Sequence, residues 1–244
     1  MQTLNEMMEH LRLMNEIAVD LEHHQLHSYF GFTCLIQISS RERDFIVDPL
    51  AQCFANKDNQ NLNSNNQYRN NHINSPLNIL NEVFTDQSIT KVLHGAEMDI
   101  LWLQRDFGVY IVNMFDTHQA SVMLNFQKRS LDELIRRIVL DNKDTRICYE
   151  SKEANQNQQQ NNKNSKSNRK KSRNSQQSSQ QQSYTLQECV NEYILSQKKR
   201  FQMSDWRLRP LPQQMIDYAR QDTHCLLFIY DQLRIMLSNK EKQD

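Results

Sequence analysis

The sequence lacks the features that would tie it to a bilayer, a disulfide framework or a zinc knuckle. No apolar run approaches the ~20 residues needed to span a membrane. The first twenty residues read as an amphipathic helix leading into a short apolar run, not as a signal peptide. The five cysteines, Cys34, Cys53, Cys148, Cys189 and Cys225, are scattered and form no C-x-x-C pair, which argues against a zinc knuckle. An odd, dispersed set suits a reducing compartment. There is no internal repeat of solenoid length. The expectation is a soluble intracellular protein with no membrane partner.

Net charge is missing as well, with 29 basic and 29 acidic residues. The balance hides a division. Ser151 to Ser183 holds seven Lys/Arg and one acidic residue, a surplus of six positive charges. The remainder carries 22 basic and 28 acidic residues. An acidic folded part is poorly suited to gripping phosphate by charge alone. It is better suited to holding metal cations that meet the phosphate.

The hydrophobic share, 38%, is low, and two polar stretches explain much of it. Residues 56–74 are dominated by Asn and Gln, and 151–183 by Gln, Asn, Ser and Lys. Neither can bury enough apolar surface to offset the entropy of ordering, so both are expected to be disordered insertions. What remains is long enough for a single domain with a real core, spread over 1–244.

Hydrophobic periodicity gives the elements. Leu4 to Leu13 reads as a helix with Leu4, Met7, Met8 and Leu11 inward. Ile17–Leu21, Phe32–Ile38 and Phe45–Val47 read as a strand meander. Pro76 can start a helix carrying Leu77, Leu80 and Val83. Thr90–Leu93 reads as a strand, and Ala96–Phe107 as a helix with Ile100, Leu101 and Leu103 inward. Tyr110–Phe115 is the fifth strand and Thr117–Leu124 a further helix. Ser130 and Glu133 suggest a capping box for Leu131–Val139. Order is expected to resume near Tyr184, and Pro210 and Pro212 precede one long helix, Gln213 to Leu237. Strands alternating with helices imply an α/β fold with a sheet flanked by helices.

Four carboxylates stand where charge is costly or geometrically useful. Asp20 and Glu22 interrupt the end of the first strand, two apart and so on one face. Like charges held together repel unless a cation lies between them. Asp99 opens a helix after His94-Gly95, beside Ile100, Leu101, Leu103 and Phe107. Tyr218 and Asp222 lie one turn apart on the last helix. Each also has a plainer reading. A strand-end Asp-x-Glu is usually a solvated edge, a helix-start Asp a cap, and a Tyr/Asp pair surface packing.

Taken together, the segments carry a resemblance. Val19-Asp20-Leu21-Glu22-His23-His24, His94 to Leu103 and Tyr218-Ala219-Arg220-Gln221-Asp222-Thr223-His224 resemble the three exonuclease motifs of the DEDD superfamily, in its tyrosine subclass. The histidine subclass would place His where Asp217 stands, and His224 lies on the wrong side of Asp222. Asn113 to Ala120 and Ser204 to Pro212 resemble the catalytic domain of the exosome component 10 group, relatives of RNase D. The likeness runs from about Thr3 to Leu237, broken by the two insertions.

The resemblance implies a ribonuclease H-like mixed five-stranded sheet and hydrolysis of single-stranded RNA from its 3′ end. Asp20, Glu22 and Asp222 would hold one divalent cation, Mg²⁺ or Mn²⁺. Asp20 and Asp99 would hold a second, and Tyr218 would orient the attacking water. His23, His24, Trp206, Arg207 and Arg209 are candidates for touching RNA, with loop packing as the alternative for Trp206 and the arginines. Asp116 is expected to cap the helix after it. The implied setting is nuclear or nucleolar RNA processing, including rRNA maturation, with the RNA exosome as partner. The basic run Lys163 to Arg173 offers an import signal or a loose RNA tether. The N-terminal partner-binding and HRDC domains usual in that group are not seen in this sequence. The rivals are a DNA exonuclease of Werner type and a non-catalytic RNA-binding scaffold.

Overall fold

The computed structural model describes residues 2–25, 29–51, 75–140 and 201–242, without the side chains of 2, 3 and 140. Both expected insertions, the basic run and the segment from Tyr184 to Arg200 lie outside the described residues. Helix α1, Gln2–Leu11, packs Met7, Met8 and Leu11 inward. Strands β1 (Glu16–His24), β2 (Phe32–Ser39) and β3 (Asp44–Val47) form the expected antiparallel meander. A 3-10 turn, Pro76–Leu80, is capped by the Ser75 hydroxyl and runs into α2, Asn81–Phe84. Strand β4 (Thr90–Leu93) lies parallel to β1, and β5 (Met114–Asp116) parallel to β4. Helix α3, Glu97–Trp102, joins them and ends in a π-turn, Leu103–Phe107. Helix α4, Thr117–Met123, and α5, Leu131–Leu134, follow, the latter continuing as a π-turn Ile135–Leu140. Helices α6 (Gln213–His224) and α7 (Leu226–Glu241) close the described chain.

The five strands run in the order β3-β2-β1-β4-β5, with β1 at the centre. Side chains alternate across a strand, and β1 uses both faces. Ile17, Val19 and Leu21 enter a core with Met8, Leu11, Leu80, Phe84 and Leu103. Ala18 enters a second core with Val92, Leu226, Ile229 and Leu233. A smaller cluster joins Cys34 and Leu35 to Phe201, Trp206, Met215 and Tyr218. Asp20 and Glu22 therefore project on the side where α6 and α7 lie.

Four expectations need correction. Tyr110 is 55% exposed and outside β5, which is only three residues long. Asn113 turns the chain there at φ 58. Leu101 is 55% exposed, because Ile100, Leu103 and Phe107 already occupy the inward stripe and Leu101 lies about 100° round from Ile100. The last helix breaks at Cys225 into two. The break lets α6 lie on β1, β2 and β3 while α7 covers β1 and β4. Ser130 caps α5 as expected, accepting from the Glu133 N–H, but the Glu133 carboxylate turns to Lys128 at 3.7 Å instead of closing the box.

Lys91 is fully buried in β4. Its ammonium donates to the carbonyls of Ile89 (2.6 Å), Asp86 (2.7 Å) and Val83 (3.4 Å), tying the α2–β4 connection to the sheet. Burial lowers its pKa to about 8, against about 10.4 in an unfolded chain. Below about pH 8 both states hold the proton and the fold bears the full cost of a buried charge. Between the two values only the unfolded chain holds it, so stability rises with pH. The melting temperature of the parent should rise relative to Lys91→Met between pH 8 and pH 10. A constant difference would show that Lys91 is not titrating in the fold.

Candidate active site

Strand β1 runs on to His24, so Asp20 and Glu22 stand within the strand and not at its end. Helix α6 brings Tyr218 and Asp222, one turn apart and both buried against the sheet. One oxygen each of Asp20, Glu22 and Asp222 lie within 4.8 Å of one another, although Asp222 is far along the chain from the other two. Burial raises the Glu22 pKa well above the usual carboxylate range, and the charges of Asp20, Asp222 and Asp99 raise it further.

Asp99 is buried on α3 and outside the three-oxygen spacing, yet close enough for Glu22 to feel its charge. Burial first, then the charge of Asp116, raises its pKa to about 7. Two features set its position. Gly95 takes φ 70 between β4 and α3, and a Cβ there would meet nothing within 4 Å, so the backbone angle and not space calls for glycine. Asp116 accepts the N–H groups of Gly95 (2.9 Å) and Ala96 (3.0 Å). The same carboxylate caps α4 through the N–H groups of His118 (2.7 Å) and Gln119 (3.3 Å), as the sequence suggested.

Tyr218 is buried, its ring 5.7 Å from Phe201 and 6.0 Å from Trp206. Its phenol donates to Asp222. Burial, then the charges of Asp222, Glu22 and Asp20, push its pKa far above the usual range. At neutral pH it is a proton-bearing donor. The donor set of the cluster is carboxylate oxygen only, drawn together despite mutual repulsion. That set fits a hard divalent cation better than zinc or copper.

The five residues proposed to touch RNA turn toward protein partners. His23 stacks on Trp102 at 4.0 Å and 4°, with Arg105 at 3.1 Å from its Nε2. Burial, then Arg105, lowers its pKa to about 4. His24 is buried, 3.8 Å from Asp205. Trp206 is 2% exposed, so the packing alternative holds and no ring face is open to a base. Arg207 pairs with Asp205 at 2.8 and 2.7 Å. Arg209 binds Asp48 at 2.6 Å and the carbonyls of Trp206 (2.8 Å) and Cys34 (2.9 Å). Arg209 and Trp206 pin the loop before α6 to β2, and Trp206 packs beside Tyr218.

Sequence reading missed two contacts. His224 bonds Asp44 of β3 at 2.9 Å. Gln37, fully buried in β2, donates to Glu22 at 3.5 Å. The one available signal was a polar residue inside the apolar run Cys34 to Ile38.

Raised carboxylate pKa values give a signed prediction. A folded Asp99 titrating at about 7 holds a proton that the unfolded chain has released above about 3.9. Metal-free stability should therefore fall as pH rises from about 4 to about 7. With EDTA present, melting temperatures across that range should decline, and Asp99→Asn should lose part of the slope. Equal slopes in the two proteins would refute the assignment.

The sequence profile of the 3′-5′ exonuclease family matches residues 1–167 and 170–238. Exosome complex component 10 of Rattus norvegicus is 39% identical over 234 residues, 96% of this chain and 18% of that protein. The exosome complex exonuclease RRP6 of Saccharomyces cerevisiae is 38% identical over 239 residues, 98% of this chain and 22% of that protein. The chain thus spans about a fifth of the length of these relatives. Among solved structures, the catalytic core of RRP6 from Trypanosoma brucei aligns over 98% of this chain and 46% of its own, with a TM-score of 0.64 and 33% identity. Escherichia coli RNase D, at 18% identity and a TM-score of 0.60, covers 98% of this chain and 44% of its own and shares the fold. The chain belongs to the 3′-5′ exonuclease family, among the relatives of exosome component 10.

Proposed function

We propose that this chain is a metal-dependent 3′→5′ exoribonuclease that releases nucleoside 5′-monophosphates from single-stranded RNA. One observation carries the reading. Carboxylate oxygens from β1 and α6 converge within 4.8 Å, on the fold of an RRP6 catalytic core.

Asp20, Glu22 and Asp222 would hold one divalent cation, Mg²⁺ or Mn²⁺, and Asp20 with Asp99 a second. Cations bound there would supply a nucleophilic water near neutral pH and neutralise charge on the scissile phosphate. The remaining work falls to the protein. Asp20 and Glu22 share one strand face, so backbone geometry fixes their spacing. Asp222 enters from α6, which makes the site depend on the docking of that helix. Tyr218 keeps its proton and donates it to Asp222, so it orients the attacking water by accepting a hydrogen bond at its phenol oxygen and does not act as the base. The surplus of acidic residues outside the basic run leaves RNA binding dependent on the cations.

The relatives' names place them in exosome complexes. We extend this to a setting in nuclear RNA processing and turnover, rRNA maturation included, alongside the RNA exosome.

The test is digestion of 5′-labelled single-stranded RNA with Mg²⁺ or Mn²⁺, beside matched DNA. A ladder of products shortened from the 3′ end is expected, abolished by EDTA and by Asp222→Asn. Tyr218→Phe should lower kcat by about 10²-fold, the scale of one positioned hydrogen bond. Preference for the DNA strand would move the protein to the DNA exonucleases. Metal-dependent RNA binding without products from the folded chain would make it a scaffold.

A further inference from the structure

Strand β2 supplies no candidate ligand, yet it carries two fully buried polar side chains beside the site. Gln37 and Ser39 lie two apart and therefore share a face. In the antiparallel register they stand opposite Asp20 and Ala18 of β1, so that face is the one bearing Asp20 and Glu22. Polar groups buried in the middle of a sheet cost stability unless their hydrogen bonds offset it.

Each reaches a different half of the carboxylate cluster. The Gln37 amide donates to a Glu22 oxygen at 3.5 Å. The Ser39 hydroxyl meets the Thr223 hydroxyl at 2.6 Å, in the buried seam between β2 and α6. Thr223 is the chain neighbour of Asp222. The carbonyl oxygen of Gln37 is buried with no hydrogen-bond partner among the described residues. The amide is thus not there for its own satisfaction: an apolar side chain of the same length would pack without that orphan.

We propose that β2 is the template of the metal site, with Gln37 positioning Glu22 and Ser39 positioning Asp222 through Thr223. The spacing between ligands on β1 and α6 is then set by a strand that donates none. Both act through other residues and are positioning residues. This inference rests on the metal-site reading above. It deepens that reading by naming what holds the ligands, in the way that partners of metal ligands commonly fix ligand orientation.

The test uses the whole chain and Mn²⁺ as the probe. Mn²⁺ affinity is measured by calorimetry, melting temperature in EDTA, and RNA turnover at saturating Mn²⁺. Gln37→Met removes the amide and keeps the length. Thr223→Val removes the hydroxyl and keeps the shape, and Thr223→Ser restores the hydroxyl. Expected are Mn²⁺ dissociation constants raised about 10- to 100-fold in Gln37→Met and Thr223→Val, with parent-like affinity in Thr223→Ser. In EDTA, Gln37→Met should melt at or above the parent temperature; at saturating Mn²⁺ its kcat should fall with little change in KM for RNA. Unchanged Mn²⁺ affinity in both Gln37→Met and Thr223→Val, whether or not melting shifts, would assign these residues to packing and overturn the proposal. If Gln37→Met fails to fold, the Thr223 pair decides alone. Absence of Mn²⁺ binding by the parent would instead sink the metal-site reading itself, before any variant is compared.

Discussion

Mutual repulsion of carboxylates drawn into one buried place is the constraint on which the rest of this molecule depends. Asp20, Glu22 and Asp222 converge within 4.8 Å, and the charge of Asp99 reaches Glu22 as well. Left alone, such a group relaxes by taking up protons, by drawing in water or by moving apart. The fold opposes the last of these. Two of the charges are fixed to one strand at the sheet centre, and the third sits on a helix clamped to the same sheet. The rise in the pKa values of Glu22 and Asp99 is the visible record of that opposition.

The clamp on α6 is distributed. Thr223 meets Ser39, and His224 meets Asp44. Tyr218 lies in an apolar cluster with Trp206 and Phe201. The loop before the helix is tied to β2 and to Asp48 by Arg209. On the other side of the site, Asp116 uses one carboxylate to close the β4–α3 turn and to cap α4. That places α3, which carries Asp99, just beyond the end of β4, the strand beside β1. The break at Cys225 belongs to the same arrangement, since a continuous helix could not both lie along β1, β2 and β3 and cover β1 and β4.

Much of this was legible beforehand, for definable reasons. Periodicity located the strands and most helices, because burial on one face leaves a repeating apolar pattern. Asp116 could be read as a cap, since a carboxylate just before a helix finds free N–H groups. The four carboxylates and Tyr218 were recognisable through their ordered motifs. Errors fell where local pattern competes with packing. Tyr110 and Val112 looked like strand residues by type, but their backbone lies outside the ladder. Leu101 looked inward by hydrophobicity, but Ile100 and Leu103 had taken the stripe. Trp206 offered two readings, and its burial decided for packing.

The sequence by itself determined which segments can be strands and helices, which positions carry charge, and that Asp20 and Glu22 share a face. Those properties depend on residue type and on the two-residue and 3.6-residue periods of the backbone. Only the tertiary structure decided how closely Asp222 meets them, that Asp99 stands outside the three-oxygen spacing, and that Gln37 and Ser39 lie beneath the site. Those facts depend on how α6 settles against β2, and helix-on-sheet docking is set by the sum of many side-chain contacts across distant segments, which no local period records.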